Sequence, residues 1–213
     1  MIIRENSMLS RRHLLSLLAA GTAMGGAAGL TTGVAHAQAA IPDITLGDPS
    51  APVTVVEYAS YTCPHCAEFH SDTFKDFKAE YIDTGKVHFI YREVFFDRYG
   101  LWAAMIARCA GPENYFGIAD LIYAGQGDWA RQGDPAAVAD SLKRIGLQAG
   151  LSQGQVDACL QDAAMAEGLY GWYQENATRD GVRSTPSFLI NGDMHSGNMN
   201  LSQIGQLVDE ASS

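Results

Sequence analysis

From Val53 to Ala59 the chain is apolar and β-branched almost without interruption, a pattern that predicts a strand buried in a parallel sheet. Farther along, Phe74, Phe77 and Tyr81 recur at helical spacing until Asp83-Thr84-Gly85 closes the segment, and Lys86 to Phe96 reads as a second strand. The pattern then becomes purely helical. Tyr99, Trp102, Ile106 and Cys109 form one stripe, ended by Gly111-Pro112, and Tyr115, Ala119 and Ile122 form another, stopped by Gly125-Gln126-Gly127. Asp134-Pro135 starts a helix carrying Val138, Leu142 and Ile145. Ser152 followed by Gln155 is a capping-box pattern for a longer helix beyond it. Strand character returns at Ser187 to Ile190, before the hairpin pair Asn191-Gly192. Asn200 with Gln203 caps a last helix bearing Leu201, Ile204, Leu207 and Val208. This order predicts an α/β fold interrupted by an all-helical insertion, divided as residues 38–97, 98–178 and 179–213. The aromatic and apolar stripes of the insertion read as core, and none of them is assigned a cofactor.

Residues 1–37 follow a different logic. Arg11 and Arg12 precede an apolar run beginning at Leu14, and a Gly/Ala-rich stretch leads to the small-x-small sequence Ala35-His36-Ala37. Basic, apolar and cleavable segments in that order predict a secretory signal. Ser10-Arg11-Arg12-His13-Leu14-Leu15-Ser16 also resembles the twin-arginine export signal. The expected mature chain, residues 38–213, loses Arg4, Glu5, Arg11 and Arg12, which leaves 11 basic side chains against 23 acidic ones. Such a surface disfavours nucleic acid and anionic lipid. Ile41 to Ala51, punctuated by Pro42, Gly47 and Pro49, reads as a lead-in with at most a short edge strand.

Export changes how the four cysteines are read, because an oxidising compartment is where protein disulfides form and persist. Cys63 and Cys66 are separated by Pro64 and His65, at the point where the buried strand ends and a helix opens. Proline is tolerated there, in the first turn. Free backbone N–H groups and the helix field at that terminus favour an anion and lower the pKa of the first thiol. Cys63 is therefore the exposed attacking sulfur and Cys66 the more buried, resolving one. His65 beside them is a candidate for tuning the thiolate. Such a pair can close a small disulfide or share a metal ion.

Val55 to Cys66, with its Cys63-Pro64-His65-Cys66 motif, resembles the first core strand and active site of the DsbA-like branch of the thioredoxin superfamily. Gly181 to Phe188, with Asn191-Gly192, resembles that family's second motif. The resemblance spans roughly residues 42 to 212. It implies a thioredoxin-like fold with an inserted all-helical domain, and a cis peptide bond at Pro186 facing the cysteines. It implies that Thr185 and Pro186 contact extended substrate chains, and that Glu57 is a buried acid that modulates Cys66. Ser184, where many relatives have Gly, and His70, at a position often acidic, depart from the pattern. In the same branch some relatives bond two cysteines placed like Cys109 and Cys159. Here those two either form a structural disulfide or stay buried thiols.

The activity implied is a thiol–disulfide oxidase of the periplasm, donating the Cys63–Cys66 disulfide to reduced, newly exported polypeptides. A membrane-embedded, quinone-linked protein would reoxidise it. An isomerase or reductase of the same fold is the alternative. Isomerase relatives dimerise through an extra N-terminal domain, for which the mature chain leaves no room ahead of Cys63, so a monomer is expected. From another class, a metal carrier would use Cys63 and Cys66, with His65 or His70. The N-terminal pattern is directly testable: Edman sequencing of the exported protein should begin at Gln38, and retention of residues 1–37 would overturn the signal assignment.

Overall fold

A computed structural model of the chain describes residues 41–213. The signal-like segment lies outside the described residues. Five strands form one mixed sheet in the order β1 (Ile44–Leu46), β3 (Val87–Glu93), β2 (Val53–Ala59), β4 (Ser187–Ile190), β5 (Asp193–Ser196). β2 and β3 are parallel, in a register that sets Glu57 beside Tyr91, and the other pairs are antiparallel. β2 is thus hydrogen-bonded on both sides, which explains its lack of polar alternation: neither edge meets water and both faces are covered. The lead-in contributes the short edge strand β1. Asn191 and Gly192, both with positive φ, turn β4 into β5.

The helix after the cysteine motif is not one element. α1 (Pro64–Asp72) breaks at Thr73, whose hydroxyl donates to the Met199 carbonyl at 3.1 Å. α2 (Phe74–Phe77) then widens into a π-turn at Lys78–Ile82, where the Asp83 N–H reaches back five residues to the Lys78 carbonyl. The second strand is shorter than the apolar run suggested, ending at Glu93, because Val94 to Phe96 leave the sheet to enter the helical block.

That block runs through α3 (Arg98–Cys109), α4 (Tyr115–Ala124), α5 (Gln126–Trp129), α6 (Pro135–Gln148), α7 (Gln153–Leu160) and α8 (Ala163–Arg179), and α9 (Leu201–Ala211) closes the chain. Both expected capping boxes are present, at Ser152/Gln155 and Asn200/Gln203. The long helix expected from Ser152 is two helices. Asp162 intervenes, and its carboxylate accepts the Met165 N–H at 2.9 Å, so it starts α8 as a cap instead of continuing α7. The helices have no core of their own. Ala103, Ile106, Tyr115, Ile122 and Leu142 belong to one contiguous buried cluster with Val55, Phe89 and Phe188 of the sheet.

A buried charge pair joins the two layers. Arg108 of α3 donates through Nε and Nη2 to the two oxygens of Glu93 at the end of β3, at 2.6 and 2.7 Å. The Tyr115 hydroxyl donates to Glu93 at 2.8 Å, and the Tyr61 hydroxyl to Tyr115 at 2.8 Å. Two-point pairing with an added donor is the arrangement in which a buried ion pair is tolerated. Cys109, at the end of α3, is bonded to Cys159 of α7. Closing a loop of 50 residues should contribute about 2–4 kcal/mol. Replacing both cysteines by serine should lower the urea midpoint accordingly, with the other pair held reduced; an unchanged midpoint would show that the bond carries no stability.

Candidate active site

Cys63 is the last residue before α1, extended at φ −83° and ψ 119°, with Pro64 opening the helix. No side chain caps this terminus by hydrogen bond. The Cys63 sulfur lies at this open terminus, where the backbone N–H groups of Cys66 and His65 favour its thiolate. The structure carries the dithiol form of the pair. Cys63 was expected to be exposed and is only 8% so, because the loop before β4 closes over it; Cys66 is fully buried.

Burial and hydrogen bonding separate the two thiols. A hydrogen bond from the Cys66 side chain is the largest influence on Cys63; burial opposes it, and the Thr185 side chain and the two backbone N–H groups reinforce it. Together they lower the Cys63 pKa to about 5. Burial pushes the Cys66 thiol far upward, and the hydrogen bond to Cys63 and the charge of Glu57 push it the same way. One sulfur is therefore held as an anion and its neighbour as a neutral thiol.

Thr185 acts differently on the two protonation states. The Cys63 thiol donates to the Thr185 carbonyl at 3.4 Å, which favours the neutral sulfur. The buried Thr185 hydroxyl has no hydrogen-bond partner among the described residues, so it is available to donate to the ionised sulfur. The balance of all groups lies with the thiolate. The Thr185–Pro186 peptide is cis. Beside it lies a cavity of about 90 Å³, walled by Thr185, Ser184, Val94, Phe96, Tyr173 and Val182.

The comparisons with known proteins agree with this geometry. The family described as Thioredoxin matches residues 39–210. A Rickettsia conorii protein named protein-disulfide oxidoreductase is 35% identical over 170 residues, covering 79% of this chain and 60% of its own length. The crystal structure of Wolbachia pipientis alpha-DsbA1 superposes with a TM-score of 0.73 at 30% identity, covering 81% of this chain and 92% of that one. The chain belongs to the thioredoxin family, on its DsbA-like branch. A structure titled protein-disulfide isomerase, from Novosphingobium aromaticivorans, also superposes, with a TM-score of 0.72 at 25% identity, over 82% of this chain and all of that one.

Within this DsbA-like site, Glu57 is fully buried on the face of β2 that also presents Val55 and Ala59 to the main core. Cys66, Phe69 and His70 form the inward face of α1. That face brings the His70 ring onto the carboxylate, with Nε2 at 3.1 and 3.2 Å from its two oxygens. His65 is placed otherwise. Its side chain is 71% exposed, and its Nδ1 lies 3.4 Å from Glu68 on the helix surface. What His65 contributes to the Cys63 sulfur is its backbone N–H. Neither histidine is set beside the cysteines as a metal ligand, and no group of three or more potential ligands occurs among the described residues.

Sequence reading missed Gln126, which falls in a stretch that looked like a helix stop. It is buried, and its Nε2 donates to the Tyr61 carbonyl at 2.8 Å and the Cys63 carbonyl at 2.9 Å. The helical block thereby holds the turn that presents the reactive sulfur. Thr62 is held as well, its hydroxyl donating to Asp97, whose other oxygen caps α3.

The charge separation has a measurable signature. Iodoacetamide alkylation of Cys63 in the reduced protein should titrate with a midpoint near pH 5, while Cys66 stays unreactive through neutral pH. An unfolded thiol titrates at about 8.5, so the folded value is depressed. The thiolate's contribution to stability is then complete above the unfolded pKa and fades as pH falls through the folded one. A Cys63 midpoint near 8 would refute the stabilised-thiolate account.

Proposed function

We propose that this chain is an exported thiol–disulfide oxidase that donates the Cys63–Cys66 disulfide to reduced polypeptides in the periplasm. The observation that carries the reading is the Cys63 sulfur at the uncapped N-terminus of α1, where the Cys66 thiol and the open helix end favour its thiolate. Its charge is satisfied when the pair is reduced and lost when the disulfide closes. A fold that favours its reduced state gives its disulfide away. The chain spans about 60% of the length of the Rickettsia conorii relative, so the activity is argued from the site.

The chemistry runs in two exchanges. A substrate thiolate attacks the Cys63 sulfur, the Cys63–Cys66 bond breaks, and Cys66 leaves with the electron pair and takes up a proton. A second substrate thiolate then attacks the substrate sulfur of the mixed disulfide, and Cys63 leaves as the stabilised thiolate. The substrate is oxidised by two electrons and the enzyme pair is reduced. Return to the disulfide needs an external oxidant, for which a membrane-embedded, quinone-linked protein is the class proposed. Thr185 and Pro186 wall the substrate sulfur, and the neighbouring cavity takes an apolar side chain flanking the substrate cysteine. The basic and apolar residues 11–37 supply the export signal, and the acidic surface keeps the mature chain off nucleic acid. The described residues contain no helix long and apolar enough to cross a membrane.

The equilibrium potential separates this reading from its rival. Against glutathione the pair should lie well above about −200 mV, far from thioredoxin's value of about −270 mV. With Cys109–Cys159 intact, the reduced protein should melt above the oxidised one at pH 7, and Cys63→Ser should abolish disulfide transfer to a reduced two-cysteine peptide. An oxidised form that melts higher, with a potential near thioredoxin's, would replace the oxidase by a reductase.

A further inference from the structure

The Cys66 sulfur must gain a proton each time the disulfide is given away and lose it each time the disulfide is remade. When Cys63 is joined to the oxidant in a mixed disulfide, the Cys66 S–H bond breaks and the freed electron pair attacks the Cys63 sulfur. The oxidant's sulfur then leaves as a thiolate, and the proton has to go elsewhere. Cys66 has no exposed surface, and neither has Glu57, whose charge it feels. A route between this interior and water is therefore a requirement of the cycle, and it rests on the functional reading above.

His70 has the features of that route. Its Nε2 lies within hydrogen-bond distance of both oxygens of Glu57. Its other nitrogen, Nδ1, is buried and has no hydrogen-bond partner among the described residues. A buried imidazole nitrogen left unpaired costs free energy and calls for an explanation. The ring itself forms part of the wall of a cavity of about 150 Å³, open to solvent, whose other walls are Ala67, Ser71, Lys75, Asp120, Tyr123 and Ala124. That is many times the roughly 10–15 Å³ a single water needs. The ring is also held in orientation, stacked on Tyr123 at 4.4 Å and 18° and packed against Phe74 at 4.6 Å. One nitrogen therefore stays on Glu57 while the other is left without a partner among the described residues.

We propose that His70 is a positioning residue that relays the Cys66 proton: Nε2 exchanges it with Glu57, and Nδ1 exchanges it with water admitted through this cavity. An imidazole suits the task because it can accept a proton at one nitrogen while releasing one from the other. The groups that set its charge come from every packed element: Glu57 of β2, Tyr91 of β3, Tyr123 and Asp120 of α4, Lys75 of α2 and Cys66 of α1. A carboxylate in the same place would offer no second nitrogen facing away from Glu57.

The test isolates the step that Cys66 performs. Mature protein carrying glutathione on Cys63 is mixed by stopped flow from pH 5 to 9, and release of glutathione by Cys66 is timed. His70→Gln retains an amide donor that can reach Glu57 but cannot pass a proton through. It should slow release at least roughly tenfold at pH 7, with a dependence on buffer concentration that the native protein lacks, and added imidazole should restore the rate. Alkylation of Cys63 and the melting temperature should change little. Release within twofold of the native rate, with the same pH profile, would overturn the relay, as would a loss that imidazole leaves untouched. If His70→Gln does not fold, Ala124→Leu narrows the cavity with His70 in place; slowed release then supports the relay and an unchanged rate refutes it. A native protein that never releases glutathione would instead bring down the functional reading.

Discussion

A helix that begins with free N–H groups attracts negative charge, and a sulfur buried one turn inside the same helix excludes it. The cysteine site depends on that asymmetry. It exists because β2, paired on both sides, delivers the chain directly into α1 with no capping side chain between them. Had a serine or aspartate stood at the terminus, its oxygen would take the N–H groups that now favour the Cys63 thiolate. The reactive sulfur stands at this uncapped terminus, so the free N–H groups of the helix favour it as an anion.

The remaining structure keeps that junction in register. Gln126 holds two carbonyls of the turn from one side, and Asp97 holds Thr62 from another. Glu93 and Arg108 lock the helical block against the end of β3, and through Tyr115 the same pair reaches Tyr61 just ahead of Cys63. On the opposite face Arg92 joins Asp43 of the lead-in, Asp180 at the end of α8 and the Tyr58 hydroxyl. Each of these contacts links separate segments of the chain, and the most buried of them, Glu93 with Arg108 and Tyr115 and Gln126 with two carbonyls, satisfy polar groups inside an apolar setting. The helical block therefore works as the outer wall of the active site, sharing its core with the sheet.

Local signals were readable in the sequence, and the through-space ones were not. The apolar run of β2, proline in the first turn of α1, Asn191-Gly192 and the two capping boxes depend only on neighbours a few residues away, and all are present in the fold. The split at Asp162 was legible in principle, since the residue can cap, but the helical spacing on either side concealed it. Gln126 gave no local hint, because two glycines beside it imitate a stop and its partners lie more than sixty residues earlier. His65 illustrates the converse: adjacency in sequence suggested an imidazole on the sulfur, yet the helical turn sends the ring outward to Glu68. His70 stood out only as a departure from a family pattern; its partner on β2 became visible once α1 was laid across the sheet.

The central strand pairs with β4 through residues roughly 130 positions later in the chain, Glu57 facing Phe188 among them. During synthesis β2 and β3 can meet early, but one edge of β2 stays bare until nearly the whole polypeptide has appeared. Contacts of such long range close slowly, and an unpaired apolar edge is adhesive while it waits. The same interval leaves Cys63 without the loop that covers it. A chain interrupted before β4 would thus present an uncovered thiol next to an open sheet edge, so vectorial emergence and premature termination bear directly on how this protein is made without cross-linking to its neighbours.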